Sequence, residues 1–151
     1  MFNHHRGLWG YCGNAVNDGQ LLMVQATGLG GTSLNAVVED LIGLGVTTFV
    51  RVGSCRAAAG VSAGAVVVVR DALPFDATAL ELSGSREPLT ADATLTATLE
   101  RQLPSAHVGT IASVSLGHGA LATGDEVLAT DLATAALLAT VANHGPQVRA
   151  A

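Results

Sequence analysis

A glycine turn that leads into a helical pattern gives residues 28–33 the features of an anion site. Gly28, Gly30 and Gly31 stand where an apolar run ends and an amphipathic stretch begins. Backbone N–H groups at such a helix start can hold an oxyanion. The dinucleotide pattern GxGxxG is not completed, because Ser33 holds its last position. A tight strand-to-helix turn without a ligand is the alternative, and both interpretations stay open.

Three polar or nucleophilic side chains, Arg51, Ser54 and Cys55, follow a second apolar run at 46–50. Strand ends of this kind are where α/β proteins place their ligands. Arg51 and Ser54 could hold an anion, or they could belong to a structural hydrogen-bond network. Cys55 could be a nucleophile, but no basic partner is placed beside it, so a small packing residue is the other interpretation.

Trp9 and Tyr11 are two of only five aromatic residues in the chain. On alternating strand positions they would point to the same side of the strand. They could form a lid or wall for an apolar ligand, with Tyr11 as hydrogen-bond donor, or they could simply pack an edge strand. His118, in a glycine-rich segment, is either a site residue or a solvated loop residue.

Acids and histidines nowhere show the spacing of metal ligands, so neither a metal site nor a cofactor is expected. His107 and His144 have the positions of surface residues, and His4 and His5 fall in a polar start that is expected to be disordered. Asp71 and Asp76 flank a loop without a paired acid.

The elements that must position these residues alternate between strands and helices. Residues 20–27 are predicted to be a strand covered on both faces, because they form a nearly continuous apolar run, and residues 46–53 are predicted to be the next buried strand. The segments 73–92 and 117–126 resemble loops. The further predicted elements are strands at 7–12, 65–73 and 107–116 and helices at 34–44, 90–103 and about 130–143, with Thr32 and Ser33 as cap candidates for the first helix. This order predicts a three-layer α/β fold with a mixed central sheet and flanking helices.

Composition indicates a single compact domain over residues 1–151 with a large buried fraction. Hydrophobic residues make up 49% of the chain and charged residues only 13%, which also suggests an oligomer that hides surface between subunits. The formal net charge of −5 and the absence of a basic cluster argue against nucleic-acid binding. No apolar run approaches the roughly 20 residues that a membrane span needs.

Two distant cysteines without a CxxC motif are weak grounds for a disulfide. The start MFNHHRG is polar and does not resemble a signal segment, so a cytoplasmic location is expected. All seven basic residues are arginine, which with the abundant Ala, Val, Leu and Gly suggests a GC-rich genome such as that of an actinomycete.

Four segments together resemble the nucleoside phosphorylase superfamily, which includes purine nucleoside phosphorylases, uridine phosphorylases and methylthioadenosine nucleosidases. They are GLGGTS with VEDL within 28–41, TFVRVGSC at 48–55, GTIASVSL at 109–116 and DLATAAL at 131–137. Their order and spacing match the family over most of the chain. The resemblance implies a truncated phosphorylase-like fold, a homo-oligomer, and phosphate contacts at Arg51 and Ser54.

Several positions depart from the family pattern. The family's Met-Glu pair, whose acid binds ribose hydroxyls, falls on Leu132 and Ala133, and the aromatic residue that stacks the base falls on Gly117. Arg56 replaces a glycine of the family motif. The family's phosphate loop and the strand that carries its catalytic Asp are also expected to be missing. Without a carboxylate for the sugar and an acid for the leaving base, nucleoside cleavage is not expected.

A phosphorylase-like core without that machinery leaves an apolar pocket that suits a pericyclic reaction. The chain also resembles, in size and lost motifs, the compact cyclases of actinomycete macrolactone pathways of the streptoseomycin and nargenicin type. We therefore expect a cyclase of polyketide biosynthesis that catalyses a 6+4 or 4+2 cycloaddition of an apolar polyene macrolactone. The alternatives are a degenerate nucleoside phosphorylase or N-glycosidase and a noncatalytic small-molecule-binding module.

The predicted site combines carbonyl-polarising groups with a lining of small and apolar residues. The polarising groups are Tyr11, Ser54 and His118. The remaining predicted substrate-binding residues are Trp9, Met23, Thr27, Gly28, Arg51, Cys55, Ser115 and Leu116. The predicted partner is an apolar small molecule, with no nucleic acid and no membrane.

Overall fold

A computed structural model describes residues 3–7, 10–115 and 126–151 of the chain, with only the backbone for residues 3–7 and 11. Strands and helices alternate along most of it. In chain order the elements are β1 (Asn3–Gly7), β2 (Gly10–Asn17), β3 (Gln20–Gln25), α1 (Gly30–Gly43), β4 (Thr48–Phe49), β5 (Arg56–Ala57), β6 (Val67–Phe75), α2 (Ala77–Ser83), β7 (Leu89–Thr90), α3 (Ala93–Gln102), β8 (His107–Val114), β9 (Val127–Asp131), α4 (Thr134–Asn143) and β10 (Arg149–Ala150).

The central sheet is mixed and has the strand order β5-β9-β8-β6-β7. Its three inner strands are parallel to one another, whereas β5 and β7 join the edges antiparallel. The helices α3 and α4 pack against β6, and α4 also contacts α1 and α2. The prediction of an α/β fold with a mixed central sheet and flanking helices is therefore confirmed.

Helix α4 forms the centre of the hydrophobic core. Its residues 134–141 are all buried, and their small side chains let neighbouring elements approach closely. At Gly31 in α1, an added Cβ would lie 2.7 Å from Asp76 Oδ1 and 2.9 Å from the Ala136 Cβ. Glycine at this position therefore permits the contact of α1 with α2 and α4.

Helix α1 begins four residues before the predicted start at residue 34. Its N-cap is Leu29, so Thr32 and Ser33 lie inside the helix and do not cap it. The Ser33 hydroxyl instead donates to the Leu29 carbonyl oxygen at 2.9 Å, and Thr32 Oγ1 lies 2.8 Å from Thr78 Oγ1. In the turn before the helix, Gly28 and Gly30 both have positive φ, at 72° and 85°. Glycine adopts this backbone conformation more readily than any other residue, so the turn requires glycine at these positions.

The strand predicted at 20–27 is not buried on both faces. Within the part of the chain that the structure describes, β3 pairs only with β2, in a separate antiparallel sheet β1-β2-β3. Leu21 is 71% exposed and Val24 61% exposed. The physical reason is local: Asp18 and Gly19, with φ of 48° and 78°, form a turn that favours a hairpin. The predicted strand at 7–12 is accordingly divided between β1 and β2.

The strand predicted at 46–53 is also much shorter. Only Thr48 and Phe49 form β4, which pairs in parallel with β10, and Val52 is 93% exposed. The segment 73–92, predicted as a loop, contains the end of β6 together with α2 and β7. The strands β9 and β10 were not predicted, and most of the glycine-rich connection at 117–126 lies outside the described residues. None of the described helices is long and apolar enough to cross a membrane.

Candidate active site: an apolar cavity beside a buried arginine–aspartate pair

A cavity of about 630 Å³ lies between the β3 strand, the glycine turn and the start of α1. Most of its walls are aliphatic, with contributions from β3, α1, the segment 46–54 and the residues that lead into α4. Arg51 is the single charged side chain among the described residues that line it. Such a cavity has the size of a small-molecule site, for which roughly 300–1,000 Å³ is typical.

Arg51 is held at the cavity wall by an ion pair and a hydrogen bond. Its Nη1 lies 2.8 Å from Asp131 Oδ2 and donates to Thr134 Oγ1, also at 2.8 Å. The guanidinium folds back over Gly53, where an added Cβ would lie 2.8 Å from Nη2. The Arg51 side chain is 22% exposed and that of Asp131 only 1%. The arginine therefore contacts the cavity while its partner is buried behind it.

Asp131 ends β9 and accepts hydrogen bonds on both carboxylate oxygens. Ser113 Oγ donates to Oδ1 at 2.6 Å, and Thr134 donates to Oδ2 through its backbone N at 3.0 Å and its hydroxyl at 2.6 Å. Ser113 Oγ in turn accepts from the Ala135 backbone N at 2.8 Å. The network satisfies the first N–H groups of α4, which compensates the burial of the carboxylate.

The glycine turn at 28–30 lines the same cavity as Arg51. Leu29 provides no side-chain cap, and α1 has no acidic residue in its first turn. The N-terminal end of a helix carries a partial positive charge. The cavity therefore contains the Arg51 guanidinium and the N-terminal end of α1. No carboxylate of the described residues is hydrogen-bonded to that end, so the arrangement suits an oxyanion.

A second cavity of about 180 Å³ lies beside the first and is lined by Gly31, Asp76 and Ser115, among others. Asp76 Oδ1 accepts from the Ala79 backbone N at 3.0 Å and so caps α2. Its Oδ2 is buried and has no hydrogen-bond partner among the described residues. Burial raises the pKa of the Asp76 carboxyl above its ordinary value, and the negative charge of Asp131 adds to this shift.

The structure brings five of the predicted site residues together at the large cavity: Met23, Thr27, Gly28, Arg51 and Ser54. Ser115 lines the second cavity instead. Cys55 is exposed and lines neither cavity; it lies in the loop that joins β4 to β5. Trp9, Leu116, His118 and the side chain of Tyr11 lie outside the described parts of the chain. The roles assigned to all these residues stay predictions.

The sequence interpretation missed the residues that hold Arg51, namely Ser113, Asp131 and Thr134. In the segment DLATAAL, only Leu132 and Ala133 were compared with the family pattern. Asp131, one position earlier, was not considered. An Asp three residues before a Thr at the start of an apolar helix is a recognisable capping signal. Among residues 3–7, 10–115 and 126–151, the structure contains no cluster of three or more His, Cys, Asp or Glu that could hold a metal.

Comparison with known proteins identifies the class of this chain. The family model described as "Phosphorylase superfamily" matches residues 1–144. The chain therefore belongs to the phosphorylase superfamily, and the resemblance to nucleoside phosphorylases is confirmed.

Curated relatives with this similarity are named uridine phosphorylase. The protein of Salmonella typhimurium is 34% identical over 101 residues, which cover 64% of this chain and 40% of the relative. The one from Treponema pallidum is 40% identical over 78 residues, covering 51% and 30%. The one from Thermococcus kodakarensis is 31% identical over 106 residues, covering 65% and 38%. The chain thus matches less than half the length of these relatives.

The expectation of a cycloaddition cyclase is wrong. The family model and the relatives both indicate a phosphorylase-type protein, and nucleoside cleavage is the kind of reaction that they support. The expectation against nucleoside cleavage fails for the same reason. It gave too much weight to Ala133, where the family carries the acid of its Met-Glu pair, and too little to Arg51, which Asp131 and Thr134 hold in the cavity wall.

Proposed function

We propose that this chain takes part in the phosphorolysis of a nucleoside, with uridine as the first substrate to test. In this reaction an oxygen of orthophosphate forms a bond to the anomeric carbon of the ribose, and the bond from that carbon to the base nitrogen breaks. The nitrogen receives the electron pair and then a proton from solvent. Uridine is chosen because the curated relatives are uridine phosphorylases.

The observation that carries the proposal is the environment of Arg51. Its Nη1 is engaged by Asp131 and Thr134, whereas Nε and Nη2 have no hydrogen-bond partner among the described residues. These two donors lie on one edge of the planar guanidinium, which is the geometry that binds two oxygens of a phosphate. Arg51 is also the charged group of the described cavity lining, so its guanidinium offers an anion charged hydrogen-bond donors at this point.

The rest of the cavity supports the same assignment. Gly28 and Gly30 carry no side chain at the start of α1, and Thr27 and Ser54 line the same cavity. The aliphatic lining suits the flat base and excludes water from it. A pyrimidine-2,4-dione base leaves as an anion whose charge spreads over two carbonyl oxygens, so hydrogen-bond donors can stabilise it without a carboxylic acid.

The test is phosphate-dependent release of uracil from uridine, measured by chromatography together with the ribose 1-phosphate formed. The Arg51→Gln and Arg51→Lys variants are expected to reduce the rate at least about tenfold, because neither keeps two parallel donors at a fixed angle. Arg70→Gln is the matched control, since Arg70 pairs with Asp71 on the surface and lines neither cavity. Its rate should equal that of the wild type.

Two results would contradict the proposal. Uracil release that does not depend on phosphate would indicate hydrolysis. Binding of uridine without release, in a protein whose circular dichroism spectrum shows it folded, would indicate a binding module. Equal rates in the wild type and in both Arg51 variants would remove Arg51 from the site.

A further inference from the structure

We infer that Asp131 is a positioning residue for anion binding: it holds the Arg51 guanidinium in the orientation that offers its free edge to phosphate. This inference rests on the proposed function, because it assumes that the anion bound by Arg51 is the phosphate of that reaction. Asp131 itself does not line the large cavity, so it acts on the ligand through Arg51.

The geometry fixes the arginine at one end only. Both contacts of the guanidinium, to Asp131 Oδ2 and to Thr134 Oγ1, use the same atom, Nη1. The plane of the group rests over Gly53, which lacks the Cβ that would push it away. A free arginine loses rotamer entropy when it is immobilised. Here the protein has immobilised the side chain before any ligand arrives, which favours binding through pre-organisation.

Asp131 is itself immobile because it is 1% exposed and accepts hydrogen bonds from Ser113 and Thr134. Its charge also opposes that of Arg51, so the pair is close to neutral before phosphate enters. Attraction by an uncompensated positive charge is therefore small, and the affinity for phosphate depends on the fixed orientation of the remaining donors.

A purely structural role for Asp131 is the competing explanation, since the residue also caps α4. Thr140 in the same helix separates the two roles. Its buried hydroxyl donates to Asn35 Oδ1 and to the Ala136 carbonyl oxygen, each within 2.8 Å, and it makes no hydrogen bond to Asp131 or Arg51. Thr140→Val therefore weakens the packing of α4 while it leaves the contacts of Asp131 and Arg51 in place.

The experiment is a titration of wild type, Asp131→Ala, Asp131→Asn and Thr140→Val with inorganic phosphate by calorimetry. Asp131→Ala should raise the Kd for phosphate about tenfold, because the arginine must then be ordered by the ligand. Asp131→Asn keeps an oxygen acceptor for Nη1 and a cap for α4, so it should recover part of the affinity. Thr140→Val should lower the melting temperature, because a buried hydrogen bond is lost, and leave the Kd within about twofold of the wild type.

A parallel measurement of Arg51 Nε–H relaxation by nuclear magnetic resonance keeps the two proposals distinguishable. The inference predicts a rigid Nε–H vector in the wild type and a mobile one in Asp131→Ala. If phosphate binds the wild type but the Kd of Asp131→Ala is unchanged or lower, the positioning role is wrong and the proposed function stands. If the wild type binds no phosphate, the proposed function loses its anion site. In that case the positioning role for anion binding is overturned as well, whatever the mobility of Arg51 in Asp131→Ala.

Discussion

The stability of the Arg51–Asp131 pair can be tested directly by removing the arginine. In Arg51→Met the buried Asp131 carboxylate loses its positive partner. Breaking a buried ion pair on one side costs about 3–5 kcal/mol. The Ser113 hydroxyl and both Thr134 donors remain, so we expect a value near 3 kcal/mol, the lower end of that range.

Such a loss is a large part of the total stability, which is about 5–15 kcal/mol for a domain. Urea unfolding at pH 7, followed by circular dichroism, is the assay. With a denaturant dependence of about 2 kcal/mol per molar urea, the midpoint should fall by about 1.5 M. The free energy of unfolding is taken from the whole curve rather than from one urea concentration.

The double variant Arg51→Met with Asp131→Asn provides the control. An asparagine retains acceptor and donor groups for Ser113 and Thr134 but carries no charge, so the uncompensated carboxylate is gone. We expect this variant to regain about 2 kcal/mol relative to Arg51→Met alone. A cost below about 1 kcal/mol for Arg51→Met, or a double variant no more stable than the single one, would refute the reasoning.

Two further predictions concern the contact of α1 with α2. Gly31→Ala should destabilise the protein by about 1–3 kcal/mol in the same urea assay, because its Cβ would meet Asp76 Oδ1 and Ala136. Gly43→Ala in the same helix meets nothing within 4 Å, so its cost should be close to zero; an equal loss in both variants would contradict the steric explanation. For Asp76, the pKa of the folded state is raised above 3.8, so its ionisation lowers stability as the pH rises from about 3.8 through that folded pKa. The free energy of unfolding of Asp76→Asn should therefore rise relative to that of the wild type over this pH window, and the difference should stay constant above it. A difference that does not change between pH 3 and pH 8 would contradict this prediction.

Elements with a strong local signal could be predicted from the sequence. The strand predicted at 107–116 corresponds to β8, and the helix predicted at 90–103 corresponds to α3, which begins after the Asp92 cap. The strand β9 could not be recognised in the same way. Its five residues become a strand because they pair with β8, and that partner is distant in the sequence.

The strand predicted at 46–53 is too long, because apolar residues continue beyond the segment that pairs with another strand. Val50 and Val52 follow β4 but are exposed, although the Arg51 backbone N still donates to the Ala151 carbonyl oxygen at 2.9 Å. The opposite error occurred at α2. Its start at Asp76 and its end at Gly84, with φ of 65°, are ordinary cap signals, yet the segment is so short that its loop-forming residues dominated the interpretation.

Half of the candidate site could be located from the sequence and half could not. Gly28, Arg51 and Ser54 were found because turns and strand ends are visible in the residue pattern. The buried partners Ser113 and Asp131 come from two different strands, and only the register between β8 and β9 shows that they meet. The exposure of Cys55 could likewise not be predicted, since it depends on the path of the loop between β4 and β5.

The four helices of the described chain begin in two different ways. An aspartate accepts a hydrogen bond from the first turn of α2, of α3 and of α4, through Asp76, Asp92 and Asp131. Helix α1 differs from these three, because no side chain of the described residues caps it and its first turn carries no acid. Its start is thus the site among these four whose first turn makes no hydrogen bond to an aspartate of the described residues, although Asp76, the cap of α2, lies beside Gly31. A carboxylate at the N-cap position, as in Leu29→Asp, would give α1 the same kind of cap as α2 and α3. It would also place a negative charge in the wall of the large cavity, where it would compete with an anion.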